Sequence, residues 1–452
     1  MRRCTLEEVA RFSGGRLVQG DPSLAVDRLH TDTRTLAAGD CFVALQGDRF
    51  DGHDYVGDVM DHGAVAALVS KRLIPDLPEG LGLVEVPNTL EALQRFAATY
   101  RQLLSVRTIG VTGSSGKTST KELIASVLRV RFKTKATEGN LNNHIGVPLT
   151  LIRLDEDDEF GVVEMGMNHP GEIGPLAKIA APDVGIITNI GVAHIEFMGT
   201  RAAIALEKGM LAEALSAGGQ LVLDAEDEFT AAIAARTKAA VILAGRDVRV
   251  TDVCADAGGS RFLIHAGDQS AEVRLPVPGR HMIRNALLAV TTGTLFGLTL
   301  EECAAGLCEA HLSKGRLEQK IIRGIRIIDD SYNANPDSMV AALQTLAEMP
   351  ASGRRIAVLG KMNELGAESE RGHRLVGEAA GREGIECLVA VGEGASPIAD
   401  AAGESGVREV IRTATTGEAA DVLRKLAQAG DVILLKGSRS VKMEKILEGL
   451  AA

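Results

Sequence analysis

The sequence predicts an α/β protein of three domains built on parallel sheets, and three observations predict it. Short apolar runs rich in Val and Ile alternate with helical patterns along most of the 452 residues, the arrangement in which crossover helices cover a parallel sheet. One such run, in TIGVTGSSGKTST (108–120), passes through a glycine-rich turn into a helical pattern, as a strand, phosphate loop and helix would. The length also exceeds a single core: at roughly 100–200 residues per domain it corresponds to about three.

Composition narrows the class of function. A hydrophobic content of 45% and a charged content of 24% are those of an ordinary globular protein. The net charge of −11, with 3% aromatic residues and no long basic run, argues against a surface that tracks phosphates and stacks bases. No nucleic-acid partner is expected. No window approaches ~18 uninterrupted apolar residues, and MRRCTLEEVARFSGG at the N-terminus carries charge where a signal peptide has its apolar core. A cytoplasmic monomer without a membrane partner is the expectation. The six cysteines (4, 41, 254, 303, 308, 387) form no C-x-x-C pair and no zinc spacing, so buried or idle thiols are expected.

The first segment, 1–85, carries HTDTRTLAAGDCFVALQGDRFDGHDYV and then a helix-like DVMDHGAVAALV (58–69), and the Pro/Gly-rich patch at 74–88 marks its end. The second, 86–312, contains the phosphate loop. The third, 313–452, opens at SKGRLEQ and offers strands in IRIIDD, RRIAVLG, CLVAVG and DVILLKG, which read as an open doubly wound, Rossmann-like sheet.

A phosphate loop works because successive backbone N–H groups and a helix N-terminus face the anion, while Lys adds charge and Ser/Thr holds magnesium. Gly113, Ser114, Ser115, Gly116, Lys117, Thr118 and Ser119 fit those places, and Leu123, Ile124, Val127 and Leu128 give the following helix one apolar stripe. The general template G-x-x-x-x-G-K-[ST] would put glycine at Val111, so the loop departs from it there. Parallel strands end on one edge of a sheet. FGVVEM ends in Glu164 and DVGIITNIG ends shortly before His194, so both side chains can face the phosphates, Glu164 as an oxygen ligand for magnesium. Lys208 falls on a helical pattern, where a surface lysine with its stem along apolar neighbours is the ordinary reading. Asp330 ends a strand and either accepts from ribose hydroxyls or serves a turn. Asn335 can cap a helix whose first residue is Pro336. GSRS, at 437–440, places small residues and an Arg between strand and helix, as at a second anion site.

Taken together, T-G-S-S-G-K-T, GNLNNHIGVPLTL, VEMGMNHPGEI, DDSYNANPDSM, VLGKMNELG and LLKGSRSVKMEKI resemble the Mur ligase family, the ATP-dependent amide-forming ligases of peptidoglycan precursor synthesis. The family's own loop, T-G-x-x-G-K-T, accounts for Val111. The resemblance implies an N-terminal UDP-sugar domain, a central ATPase-type domain and a C-terminal domain for the incoming group. It implies that ATP is used with two magnesium ions, held by Thr118, Glu164, His194 and Lys208, the last as a carbamylated lysine. By the same likeness Asn285 lies near adenine, Arg316 near the transferred phosphate and Asp330 on the ribose. Asp32, Thr33, Arg34, Asp51, Gly52 and His53, with Asn140, Asn142 and Asn143, fall where the family holds its UDP-linked substrate. The YNANP and GSRS stretches resemble the branch that adds D-alanyl-D-alanine to a UDP-N-acetylmuramoyl-tripeptide, and Tyr332, Asn333, Asn335 and Arg439 are its dipeptide candidates. Met282, Lys361 and His144 depart from the family pattern. A nucleotide switch or phosphate-loop kinase would leave GSRS and the first segment unexplained. A sister ligase with a different acceptor would share the phosphate loop, and so would an inactive binding protein, although the latter has no need of Lys117, Glu164, His194 and Lys208 together.

Overall fold

Each of the three segments has its own principal sheet in the computed structural model, which describes residues 1–47, 49–70, 78–256 and 258–451. The first sheet runs Arg16–Gln19, Gly82–Glu85, Ala64–Val69, Asp40–Val43, Arg28–His30, parallel except for its first pair. The helix-like reading of 58–69 is corrected here: 64–69 is the central strand, and 58–63 are turns. Five of its six residues are buried, so the apolar run has no polar face to give a period of two and resembles a buried helix in sequence. Of the Pro/Gly-rich patch, residues 74–77 lie outside the described residues.

The second sheet is six-stranded and wholly parallel, in the order Ala240–Ala244, Gln220–Asp224, Val184–Ile187, Arg107–Thr112, Phe160–Glu164, Thr134–Ala136. The strand that feeds the phosphate loop is thus central, flanked by the strands that lead to Glu164 and toward His194. Leu123, Ile124, Val127 and Leu128 of the helix Lys117–Arg129 are fully buried. A three-stranded antiparallel sheet, Arg249–Asp256, Gly259–Ala266 and Gln269–Leu275, is inserted in this segment and was not anticipated from its pattern. Its first strand is mostly exposed and so lacks the apolar run that marks a strand elsewhere.

The third sheet has the order Glu318–Ile322, Ile325–Asp330, Val432–Lys436, Arg355–Gly360, Cys387–Val391, Glu409–Thr413. The four strands expected are present. The antiparallel edge strand Glu318–Ile322 and the parallel edge strand Glu409–Thr413 were missed, because edge strands carry mixed polar sequence. Asn335 caps Pro336–Glu348 with a reciprocal bond to Ser338, and Pro336 is in the first turn. The cysteines are all unpaired: Cys4, Cys41, Cys303 and Cys387 buried, Cys254 and Cys308 exposed.

The helix Thr89–Leu103 ties the first segment to the second. Asn88 caps it, accepting from the Leu90 and Glu91 amides. Its inner face places Phe96 5.7 Å from Phe12 of the helix Leu6–Ser13, and Tyr100 is fully buried. The Tyr100 hydroxyl donates to the Leu154 carbonyl at 2.9 Å and accepts from the Arg2 amide at 2.8 Å. Tyr100→Phe leaves both partners without their bond and should cost about 1–3 kcal/mol. Chemical denaturation should show an earlier loss of the first two domains; an unchanged transition would refute the tie.

Candidate functional site

The carboxyl edge of the central sheet and the third segment enclose a cleft of about 820 Å³. In register, Glu164 stands beside Val111 and Ile187 beside Thr112, so three parallel strands deliver their following residues to one edge. Gly113 and Gly116 sit at φ +150° and +80°. A Cβ on the first would lie 1.9 Å from Thr188 Oγ1 and on the second 2.8 Å from Asn285 Oδ1, so both positions demand glycine for conformation and for space. The segment after Val184–Ile187 braces the loop: Thr188 Oγ1 donates to the Ser115 carbonyl at 2.6 Å, and Asn189 Oδ1 accepts from the Ser115 amide at 3.0 Å. Sequence reading missed this brace, although TNIG directly after an apolar strand was a usable signal.

Lys117 Nζ donates to the Gly113 carbonyl at 2.8 Å. Burial pulls its pKa down, helped by Arg316, and Glu164 opposes the shift. Glu164, 2% exposed, accepts from Asn142 Nδ2 at 2.8 Å through Oε1, while Oε2 is buried without a partner. Lys208 is 0% exposed and its Nζ likewise has no partner. Desolvation holds its pKa well below the ordinary lysine value, with Lys117 adding to the effect. The surface-lysine reading of Lys208 is therefore corrected: it is a fully buried amine without a partner, on the helix Arg201–Lys208.

The third segment supplies the opposite wall. Arg316 Nη2 donates to Thr118 Oγ1 at 3.0 Å, and its guanidinium stacks 4.3 Å from the Tyr332 ring. Asn335 Nδ2 donates to Ser115 Oγ at 3.0 Å, and Asp337 Oδ2 accepts from the Val192 amide at 2.8 Å. Asp330 Oδ2 pairs with Lys436 Nζ at 2.5 Å, and Lys436 also donates to the Asn333 carbonyl. Asp337 and Lys436 were not among the sequence candidates. Asn285 is buried beside Gly116, and Met282, the departure next to it, accepts from Asn285 Nδ2 through sulfur at 3.6 Å. Asn140, Asn142, Asn143 and His144 line the same cleft, with Asn143 Oδ1 also accepting from the Ile145 and Gly146 amides.

Other candidates lie elsewhere. Asp32 and Arg34 are paired with each other at 2.6 Å in the first domain, which draws the Asp32 pKa down to about 2. Thr33 lies between them and Gly52 beside His53 in short 3₁₀ turns. His53 is buried with Nδ1 2.6 Å from Asp51 and Nε2 accepting from the Ser70 amide, so its ring is committed within the domain. Arg439 is largely exposed, bonded to Glu444 at 2.9 Å and outside the cleft. Its neighbours Ser438 and Ser440 instead brace the 361–363 loop, accepting from the Asn363 amide and side chain at 2.8 and 2.9 Å. Lys361 is exposed and contributes its carbonyl to this brace.

Three family models match the chain: "Mur ligase family, catalytic domain" over 26–101, "Mur ligase middle domain" over 111–293 and "Mur ligase, glutamate ligase domain" over 315–439. The chain belongs to the Mur ligase family. It is 39% identical to the UDP-N-acetylmuramoyl-tripeptide--D-alanyl-D-alanine ligase of Escherichia coli, over 99% of this chain and 98% of that protein. A crystal structure of MurF from Acinetobacter baumannii superposes with a TM-score of 0.91 at 34% identity, covering 100% and 99% of the two chains. MurF ligase from Thermotoga maritima, solved in complex with ADP, gives 0.84 at 27% identity over 94% and 97%.

His281 lines the cleft, and desolvation lowers its pKa from 6.5 to about 4. The unfolded chain therefore takes up a proton that the folded chain refuses as pH falls through that window, and stability present above about 6.5 is lost toward 4. His281→Gln should flatten the acid limb of a stability–pH curve between those values. An unchanged limb would show that the ring is not held neutral.

Proposed function

We propose that the chain joins D-alanyl-D-alanine to the terminal carboxylate of UDP-N-acetylmuramoyl-tripeptide, with ATP converted to ADP and phosphate. The observation that carries this reading is the cleft itself, where a phosphate loop faces Arg316, Tyr332 and Asn335 of the third domain. The relatives' names supply the substrate class. The tripeptide carboxylate attacks the γ-phosphorus, ADP leaves, and the dipeptide amine then attacks the acyl phosphate carbon and expels phosphate. A carboxylate does not condense with an amine at neutral pH without such activation. Phosphoryl transfer asks mainly for positioning and neutralisation of charge. Lys117 and Arg316 meet that demand from opposite walls, and closure of the third domain keeps water from the acyl phosphate.

Magnesium fits the residues present. Magnesium is commonly held by one or two carboxylates plus substrate phosphates rather than by a cage of protein ligands. The orphaned Glu164 Oε2 is one such donor, with the Thr118 hydroxyl and His194 beside it in the same cleft. Lys208 would supply the other: in its neutral form, which burial favours, the amine can take up CO₂ and release a proton, leaving a carbamate that would serve as a carboxylate. Two magnesium ions bound there would offset charge on the transferred phosphoryl group. Asp330 and Asn285 then serve ribose and adenine. The first domain, around Asp32, Thr33, Arg34 and the 51–53 turn, holds the UDP sugar, and Asn140, Asn142 and Asn143 meet the peptide. Tyr332, Asn333 and Asn335 receive the dipeptide. The enzyme works in the cytoplasm as a monomer.

Phosphate release from ATP with the UDP-linked tripeptide should depend on D-alanyl-D-alanine and not on single amino acids; release indifferent to the dipeptide would sink the assignment. Lys208→Ala should lose at least about 100-fold in kcat, the scale of a group acting on transition-state charge, and recover part of it with added short-chain carboxylates. Full activity without rescue would rule out the carbamate.

A further inference from the structure

We infer that Glu364, on the third domain, is a positioning residue for His194 on the second, so that the phosphate-loop site is complete only when the two domains are docked. This rests on the ligase reading above, in which His194 is a metal ligand. Glu364 Oε2 lies 2.5 Å from His194 Nδ1. The contact is one of charge and proximity, since Nδ1 has no well-aligned hydrogen bond. The carboxylate belongs to the loop after Arg355–Gly360 and the imidazole to the segment after Val184–Ile187, so the pair exists only across the domain boundary.

Both residues are left-handed without being glycine, at φ +64° for His194 and +61° for Glu364, a backbone cost that persists only where the surroundings impose it. The surroundings do so here. The Glu364 carbonyl accepts from the Glu196 amide at 3.2 Å, and Asp337 reaches the Val192 amide on the other side of His194. From behind, Ser438 accepts from the Asn363 amide, which gives the GSRS stretch a role in aiming Glu364.

A histidine that ligates a metal commonly gives its other ring N–H to a carboxylate, which fixes the tautomer and the ring orientation. With the Glu364 carboxylate 2.5 Å from Nδ1, its negative charge favours the tautomer that carries the proton there and leaves Nε2 its lone pair. In the undocked protein that partner is gone and the ring is free to rotate and to exchange tautomers. Docking thus prepares His194.

The test is a double-mutant cycle read by Mn²⁺ affinity, measured by electron paramagnetic resonance on the full chain with ADP. Glu364→Gln should weaken Mn²⁺ binding about 10-fold, lower kcat for dipeptide-dependent phosphate release, and leave KM for ATP within about twofold. Glu364→Asp should restore part of the loss. In a His194→Ala background, Glu364→Gln should change nothing further. Wild-type Mn²⁺ affinity in Glu364→Gln, or an equal loss in both backgrounds, overturns the inference. Should Glu364→Gln fail to fold, Glu364→Asp carries the cycle with a smaller loss that must also vanish in His194→Ala. If wild-type protein shows no dipeptide-dependent release, the ligase reading fails, while the Mn²⁺ cycle still decides the role of Glu364.

Discussion

Register between three parallel strands is the constraint on which the site depends. Glu164 is beside Val111, and Ile187 beside Thr112, so the glycine-rich loop, a carboxylate and the Thr188–Asn189 brace leave the sheet at one level. A slip of one residue would turn Glu164 to the other face of its strand and move its orphaned oxygen away from the loop.

Upon that edge the second constraint acts, which is the third domain. Arg316 on Thr118, Asn335 on Ser115, Asp337 on Val192 and Glu364 beside His194 all join a phosphate-loop or adjoining residue to a side chain from beyond residue 313. Polar groups that a nucleotide would engage are thus partly engaged by the protein. Closure and ligand binding draw on the same donors. At the junction between the domains, Glu122 on the phosphate-loop helix accepts from both the amide and the hydroxyl of Ser313, tying that helix to the start of the third domain. Helix, loop and third domain are consequently linked through backbone as well as through the cleft.

Much of this was legible in the sequence where the physics is local. Buried parallel strands announce themselves as apolar runs, Asn335–Pro336 as a helix start, and T-G-S-S-G-K-T as an anion cradle. Edge strands such as Glu318–Ile322 and the largely exposed strand Arg249–Asp256 of the inserted sheet were not, because half-solvated strands mix polar with apolar residues. Ala64–Val69 was misread since burial on both faces erases periodicity. Lys208 shows the limit for sites: its helix was foreseen, yet its complete burial follows from packing between segments that no short window contains. Glu364 and Asp337 were missed for the same reason, as partners drawn from another domain.

The central claim is that phosphate passes through the tripeptide carboxylate. The direct measurement uses UDP-linked tripeptide with ¹⁸O in that carboxylate, together with ATP and D-alanyl-D-alanine, and mass analysis of the products. An acyl phosphate predicts one ¹⁸O atom in each phosphate released and the other kept in the new amide. Unlabelled phosphate alongside amide formation would contradict it.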